Sequence, residues 1–166
     1  MADYKSTTSD NNCVFCQIIK GNIKTPGIFW ENAEFMAFLS TWPNTKGFTV
    51  IVPKDHYGSD VLAMPDSKLS KMVLVAKKVS TILIKMFADV GRVGLVMEGT
   101  GVDHAHIKLF PMHGTENLKT GNWKQHHSKN DKFFEQYEGY IASNDGPKAD
   151  EQELKKLAKQ LRKIKS

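Results

Sequence analysis

One long amphipathic stretch, residues 67–87, constrains the fold most strongly, because it lies between two groups of short strand-like stretches. Its apolar residues recur at intervals of three and four, the spacing of one helix face. They are Leu69, Met72, Val73, Ala76, Val79, Leu83 and Met86. Asp66 is the predicted N-cap. Further apolar residues at 73–75 and 82–84 widen this stripe, so we expect a second surface, such as a second subunit, to cover it.

Five stretches with strand composition flank this helix. Three precede it, at residues 28–30, 34–39 and 48–52, and two follow, at 94–97 and 102–111. Short links join the first three, which favours antiparallel pairing. The order predicts an α+β domain with a mainly antiparallel five-stranded sheet, the long helix, a short N-terminal helix near residues 12–20, and both helices on one face.

Residues 102–111, VDHAHIKLFP, alternate between two kinds of side chain. In a strand, successive side chains point to opposite faces. Ala105, Ile107 and Leu109 share the face that we predict to be core. The opposite face carries His104, His106, Lys108 and Phe110. Imidazole and ammonium groups bind metal ions, attack phosphorus or hold oxyanions, so this face is the candidate site.

The rest of the chain is divided by composition. Residues 1–11 are polar and predicted to be disordered, and residues 12–112 form the main domain. Residues 113–148 are polar with scattered aromatics and predict a long loop region, which in proteins is functional or disordered. Residues 149–166 predict a basic C-terminal helix, since Lys and Arg outnumber the acidic residues there.

The formal net charge is +5. Binding of nucleic acid, binding of anionic small molecules, or solubility alone would each explain it. Because the excess is concentrated in the last helix, a solvated helix face is favoured over a nucleic-acid arm. No apolar run approaches the roughly 18 residues that span a bilayer. The polar N-terminus lacks the apolar stretch of a secretory signal. We therefore expect a cytoplasmic protein without a membrane or nucleic-acid partner.

Cys13 and Cys16 are the two cysteines of the chain, spaced C-x-x-C. A structural disulfide is disfavoured in a reducing compartment. The remaining possibilities are a redox pair, half of a metal site, or two unconnected buried thiols. A metal site needs two further ligands.

Four blocks of sequence, in order, carry a resemblance to a known family. Residues 13–21 are similar to C-x-F-C-x-I-I-x-G, and residues 45–56 to K-G-H-x-L-V-I-P-K-x-H. Residues 99–103 are similar to G-Q-x-V-x, and residues 104–111 to H-φ-H-φ-H-φ-φ followed by Pro. Over about residues 12–112 the chain thus resembles the histidine-triad (HIT) family. The resemblance implies a small α+β homodimer that binds nucleotides and cleaves at the α-phosphate.

The same resemblance implies roles for particular residues. His106 corresponds to the family nucleophile, which forms a covalent nucleotidyl intermediate. The turn of Gly99, Thr100 and Gly101 would present N–H groups to phosphate. The base-binding residues would be Val14, Phe15, Ile18, Phe38 and Leu39, for which ordinary core packing is the other interpretation.

Three positions depart from the family pattern. Lys108 replaces the third histidine, Thr100 replaces a glutamine, and Ser40 replaces the acidic residue that holds the ribose hydroxyls. Lysine can pair with a phosphate oxygen, but it transfers no proton near neutral pH unless burial lowers its pKa. We predict an enzyme with a weakened triad. The alternatives are a nucleotide-binding regulatory module with little turnover, and a zinc-stabilised scaffold whose basic C-terminal helix binds a partner.

The resemblance also gives the cysteines partners. In the HIT branch that carries C-x-x-C, zinc is held at the positions of Cys13, Cys16, His56 and His104. A Cys₂His₂ set is a complete tetrahedral shell without an open position, so the implied zinc is structural. We expect His113, His126 and His127 to be solvent-exposed loop residues rather than ligands.

Overall fold

A computed structural model describes residues 12–25, 27–124, 126, 135–136 and 152. The chain divides into two compact units, Met1–Lys124 and Gln125–Ser166, and the first contains the elements below. The predicted disorder of residues 1–11 and, apart from Gln152, the predicted C-terminal helix lie outside the described residues. The predicted domain boundaries stay predictions.

The first unit is built on one antiparallel sheet of five strands in the order β1-β2-β3-β5-β4. The strands are β1 (Ile28–Glu31), β2 (Phe35–Leu39), β3 (Thr49–Pro53), β4 (Val90–Val96) and β5 (Ile107–His113). The predicted fold class is therefore confirmed. Two boundaries were wrong: β4 begins four residues before the predicted start, and β5 begins at Ile107 instead of Val102.

Two helices accompany the sheet, α1 (Val14–Ile19) and α2 (Asp66–Met86). The predicted cap of α2 was displaced by one residue, because Pro65 occupies the N-cap position and Asp66 is already helical. The buried residues of α2 are Met72, Val75, Ala76, Val79 and Leu83. Val73 and Met86, both assigned to the apolar stripe, are instead 42% and 72% exposed.

The helices pack on opposite faces of the sheet, not on one face as predicted. The α2 residues share a core with Phe35, Ala37, Ile51, Ile107 and Leu109. The α1 residues share a second core with Met36, Phe38, Val50 and Val52. Since neighbouring strand residues point to opposite faces, the two sets must belong to the two sides of the sheet. The polar face of β5 therefore lies on the α1 side.

Part of the predicted loop region is regular. A 3₁₀ helix spans Glu116–Thr120. Lys119 Nζ donates to the carbonyl oxygens of Phe87 and Ala88 at 3.3 and 2.9 Å, at the C-terminal end of α2. A lysine near the C-terminus of a helix also interacts favourably with the helix dipole. Within the described residues, no helix has both the length and the apolar character to span a bilayer.

Candidate active site and metal centre

The segment before β5 places the two histidines of the candidate site. Residues 102–106 are not part of the sheet, because the N–H of Ala105 donates to the Tyr57 carbonyl at 2.8 Å instead of joining the β3 ladder. The alternation of faces nevertheless continues through this segment. Ala105 packs in the core beneath α2, whereas His104 and His106 contact Phe15 of α1.

His106 is buried, with 3% of its surface exposed, and its ring has a defined orientation. Its Nδ1 lies 2.8 Å from the carbonyl oxygen of His104. A carbonyl oxygen only accepts, so Nδ1 carries the hydrogen and Nε2 keeps its lone pair. Burial lowers the pKa of His106, which the hydrogen bond to His104 opposes only in part. The ring is therefore neutral near pH 7, the state required of a nucleophile.

An aromatic ring of α1 contacts His106 and connects it to a ring of β2. The Phe15 ring lies 5.5 Å from that of His106 and 5.7 Å from that of Phe38, both edge-to-face. Ile18 and Phe38 are buried in the same cluster, and Val14 packs at its border. The structure thus brings four of the five residues predicted to bind the base into the cluster beside the predicted nucleophile.

The end of β2 holds the other two residues of the predicted nucleoside site. Leu39 is 42% exposed and lies outside that cluster. Ser40 donates its N–H to the Phe48 carbonyl at 2.9 Å, and its Oγ accepts from the N–H of Trp42 at 3.1 Å. A cavity of about 290 Å³ lies elsewhere, between residues 57–60, residues 63–64 and Asp103. None of the residues predicted to bind nucleotide lines it.

Residues 99–101 form the glycine turn before the histidine segment. Gly99 and Gly101 have φ of 66° and 91°, in the left-handed region that favours glycine. A Cβ atom at Gly99 would also lie 3.1 Å from the Ser59 carbonyl oxygen. Thr100 is exposed between them. Glycine is therefore required at both positions by backbone geometry.

Lys108 lies in the middle of the sheet and has a partner that the sequence did not reveal. Its Cα pairs with Val50 of β3 and Val96 of β4. Its Nζ forms an ion pair with the carboxylate of Glu98. Burial lowers the pKa of Lys108. The only sequence signal for Glu98 is an acidic residue directly before the glycine turn.

Four residues from separate segments converge beside His106. Cys13 and Cys16 come from the start of α1, His56 from the loop after β3, and His104 from the segment before β5. His104 Nδ1 lies 3.4 Å from each cysteine Sγ, and His56 Nδ1 lies 3.3 Å from Cys16 Sγ. All four ligand atoms lie within 4.8 Å of one another.

The donor set fits a tetrahedral metal ion. Zinc bonds of about 2.3 Å to sulfur and about 2.0 Å to nitrogen would separate the two atoms by about 3.5 Å. The observed separations are close to this value. His104 Nε2 lies 2.9 Å from the Pro53 carbonyl oxygen, so Nε2 donates and the Nδ1 lone pair faces the thiols. These four residues could hold a metal ion.

His113 is not the loop residue that we predicted. It ends β5, and its Nδ1 lies 2.9 Å from Asp89 Oδ2 while its Nε2 lies 2.9 Å from the Lys46 carbonyl oxygen. The hydrogen bond to Lys46 and then that to Asp89 raise the pKa of His113. His113 thus connects three segments as an imidazolium. His126 is exposed, and His127 lies outside the described residues.

Comparison with individual known proteins places the chain in a family, although no family model matches it. A HIT-like protein of Methanocaldococcus jannaschii is 36% identical over 103 residues, which cover 60% of this chain and 78% of that protein. A HIT-like protein of Mycoplasma pneumoniae is 31% identical over 115 residues, 67% of this chain and 78% of that protein. The chain belongs to the histidine-triad (HIT) family.

Other HIT proteins extend the comparison. The adenosine 5'-monophosphoramidase of Candida albicans is 32% identical over 111 residues, 62% of this chain and 72% of that enzyme. A HIT-family crystal structure from Bacillus subtilis has a TM-score of 0.62 at 20% identity and covers 93% of this chain and 98% of its own. A zinc-bound HIT protein from Mycobacterium smegmatis has a TM-score of 0.55 at 24% identity, covering 66% and 81%. These structures share the fold.

Proposed function

We propose that this HIT protein is a nucleotide hydrolase or nucleotidyl transferase that cleaves a phosphate ester or amide at the α-phosphorus through a nucleotidyl-His106 intermediate. The observation that carries this proposal is the hydrogen bond from His106 Nδ1 to the His104 carbonyl, because it leaves the Nε2 lone pair available. The similarity to an adenosine 5'-monophosphoramidase supports the substrate class.

The reaction proceeds in two displacements at phosphorus. Nε2 of His106 attacks, a P–Nε2 bond forms, and the bond to the leaving group breaks. The leaving group departs with its electron pair and takes a proton from water. The Nδ1–H bond to the His104 carbonyl stabilises the positive charge that the ring gains. Water then attacks phosphorus and gives a proton back to the solvent, the P–Nε2 bond breaks with its electron pair returning to Nε2, and the nucleoside monophosphate leaves.

The residues around His106 hold the nucleotide. The ammonium of Lys108 and the N–H groups of the glycine turn stabilise charge on the phosphate oxygens. A purine base lies against Val14, Phe15, Ile18, Phe38 and Leu39. The Ser40 hydroxyl bonds to the ribose. The edge-to-face rings support this arrangement, since Phe15 lies next to His106 and Phe38 packs against Phe15.

We propose that Cys13, Cys16, His56 and His104 bind a structural zinc ion, and that the chain belongs to the C-x-x-C branch of the family. Zinc would supply cross-linking and no chemistry, since the four residues fill its coordination shell. His104 lies two residues from His106, so the site would fix both α1 and the nucleophile segment. The zinc-bound HIT protein of the same fold supports the choice of metal.

Turnover of a small panel of nucleotide substrates tests the proposed function. The protein is incubated with adenosine 5'-phosphoramidate and with a dinucleoside polyphosphate, and release of nucleoside monophosphate is followed by chromatography. We expect release by the wild type and none by His106→Ala, which should still bind AMP within a few fold. His113→Gln is the matched control, because it removes a histidine of β5 that lies away from the proposed site.

A regulatory module is the second candidate, favoured by the Lys108–Glu98 ion pair, which occupies the third triad position. That candidate predicts AMP binding without release from any substrate of the panel. Release at the wild-type rate by His106→Ala would remove His106 from the mechanism.

A further inference from the structure

The Lys108–Glu98 pair differs from an ordinary surface ion pair. The two side chains are 23% and 12% exposed, whereas those of the Lys54–Glu31 pair are 28% and 55% exposed. Charges shielded from water interact more strongly than exposed ones. Lys108 therefore faces the site as one member of a shielded pair, and not as an independent cation.

The backbone explains how this pair bridges two parts of the site. Glu98 follows Val96, the β4 partner of Lys108, by two residues, and it directly precedes Gly99. Its carboxylate therefore ties the start of the glycine turn to the centre of the sheet. Lys108 lies two residues after His106 on the chain, and alternation puts both on the α1 face. The ion pair thus adjoins both the turn and the nucleophile.

We propose that Glu98 is a positioning residue, which holds the ammonium of Lys108 against the glycine turn where it meets a phosphate oxygen. This inference rests on the proposed function. Lysine has a flexible four-carbon stem, in contrast to the rigid imidazole of a complete triad. The Glu98 carboxylate supplies the missing orientation.

The electrostatic surroundings of Lys108 give a second reason to assign this role to Glu98. The strands on either side place the uncharged Val50 and Val96 opposite Lys108, and the Lys108 ammonium pairs with the carboxylate of Glu98. Burial among these groups would favour the uncharged amine. A negative charge beside the ammonium favours its protonated form.

Glu98 should also oppose phosphate binding, and this effect makes the proposal testable. Its negative charge repels a phosphate that approaches Lys108. A variant without that charge should bind AMP at least as tightly as the wild type and yet react more slowly. A pair that only stabilises the fold would give the opposite pattern, in which AMP affinity, kcat and melting temperature fall together.

The experiment compares the wild type with Glu98→Gln, which keeps the shape and removes the charge. We expect kcat for adenosine 5'-phosphoramidate to fall between about 10- and 100-fold, the range for a misplaced catalytic group. We expect AMP affinity, measured by calorimetry, to be unchanged or higher. Glu31→Gln, which breaks the exposed pair with Lys54, should change neither. Weaker AMP binding by Glu98→Gln would overturn the proposal.

A double variant shows whether Glu98 acts through Lys108. In a Lys108→Met background, Glu98→Gln should change kcat by less than about twofold, since the group it positions is gone. Independent, multiplicative losses would contradict the proposal. If Glu98→Gln fails to fold, Glu98→Asp replaces it, with a smaller loss of kcat and retained AMP affinity expected.

Failure of the proposed function would be visible separately, as a wild type without turnover. The inference is then decided by the Lys108 titration, followed through its ¹³Cε resonance. The pKa of Lys108 should be lower in Glu98→Gln than in the wild type. An unchanged pKa would reject the positioning role.

Discussion

Ser40 determines how many hydrogen bonds the proposed nucleoside site offers to ribose. A hydroxyl accepts fewer bonds than a carboxylate, and bonds to a charged acceptor are stronger. Ser40→Asp should therefore tighten AMP binding by roughly 1 kcal/mol, or about fivefold. Calorimetry with AMP measures the change.

The control for this prediction is 2',3'-dideoxy-AMP, which lacks both ribose hydroxyls. Its affinity should not increase in Ser40→Asp. An equal gain for both nucleotides would show that residue 40 does not contact the ribose.

At the scale of single residues, sequence and structure contributed differently. The role of His106 and the four possible metal ligands were predicted from the resemblance to family motifs, and the structure brings the four ligand atoms within 4.8 Å of one another. Glu98 was missed, because its partner lies ten positions away across a turn and only strand register brings them together. The role of His113 was missed for the same reason, since Asp89 and Lys46 approach it from other elements.

At the scale of elements, α1 depends on the proposed zinc site. It has six residues, too few for an isolated helix to be stable. Cys13→Ser or chelation should therefore lower the melting temperature and increase amide exchange at residues 14–19. Structural zinc contributes on the order of 10 kcal/mol in small zinc domains. We expect roughly 2 to 4 kcal/mol here, because the sheet has its own core.

Elemental analysis decides between zinc and the other interpretations of the cysteines. About one zinc per chain is expected after expression in zinc-replete medium without added metal during purification. Absence of zinc would leave a redox pair or two buried thiols. Cys13→Ser should also weaken AMP binding, because His104 lies next to the nucleophile.

The His113–Asp89 bridge connects the end of β5 to the turn between α2 and β4, and it should make stability depend on pH. The pKa of His113 is raised, so its contribution is complete below its ordinary value of 6.5 and is lost as the pH rises through the raised value. The pKa of Asp89 is lowered, chiefly by the hydrogen bond to His113. Its contribution is complete above the ordinary value of 3.8 and is lost as the pH falls through the lowered value.

The bridge therefore stabilises the fold most between about pH 4 and 6.5. His113→Gln should be less stable than the wild type at pH 5.5, and this difference should shrink toward pH 9. Urea unfolding across that range measures it. Asp89→Asn should show the same dependence, and a constant difference at every pH would refute the explanation.

At the scale of the whole molecule, α2 leaves an apolar surface uncovered. Leu74, Ile82 and Met86, which helical spacing places on one side of α2, are 61%, 40% and 72% exposed. We propose that this surface packs against the same surface of a second copy in a C₂ homodimer, because a twofold axis brings identical patches together. Sedimentation at micromolar concentration should show a dimer. Replacing Leu74 and Ile82 together by Glu should give a folded monomer.

The matched control for this prediction is Leu62→Glu. Leu62 is 74% exposed and belongs to the 3₁₀ helix Val61–Ala63 instead of α2. It should leave the dimer intact. A monomeric wild type would contradict the proposal that this surface forms a homodimer interface.

Local sequence patterns were sufficient to predict the features that depend on backbone periodicity. The spacing of apolar residues identified α2 and the strands in their order, and the alternation in β5 identified Ile107 and Leu109 as core. The spacing of apolar residues can be read from a short stretch of sequence, because backbone geometry sets the period of a helix or strand. The motif residues then indicated where the chemistry should lie.

The way in which the elements meet became visible in the three-dimensional structure alone. There α1 lies on the opposite face from α2, β5 begins at Ile107 instead of Val102, and Glu98 pairs with Lys108. Each of these depends on strand register and turn geometry, where a shift of one residue reverses every side chain. The backbone of residues 102–106 left the sheet because Ala105 bonded to Tyr57, a partner 48 positions away that no local pattern could indicate.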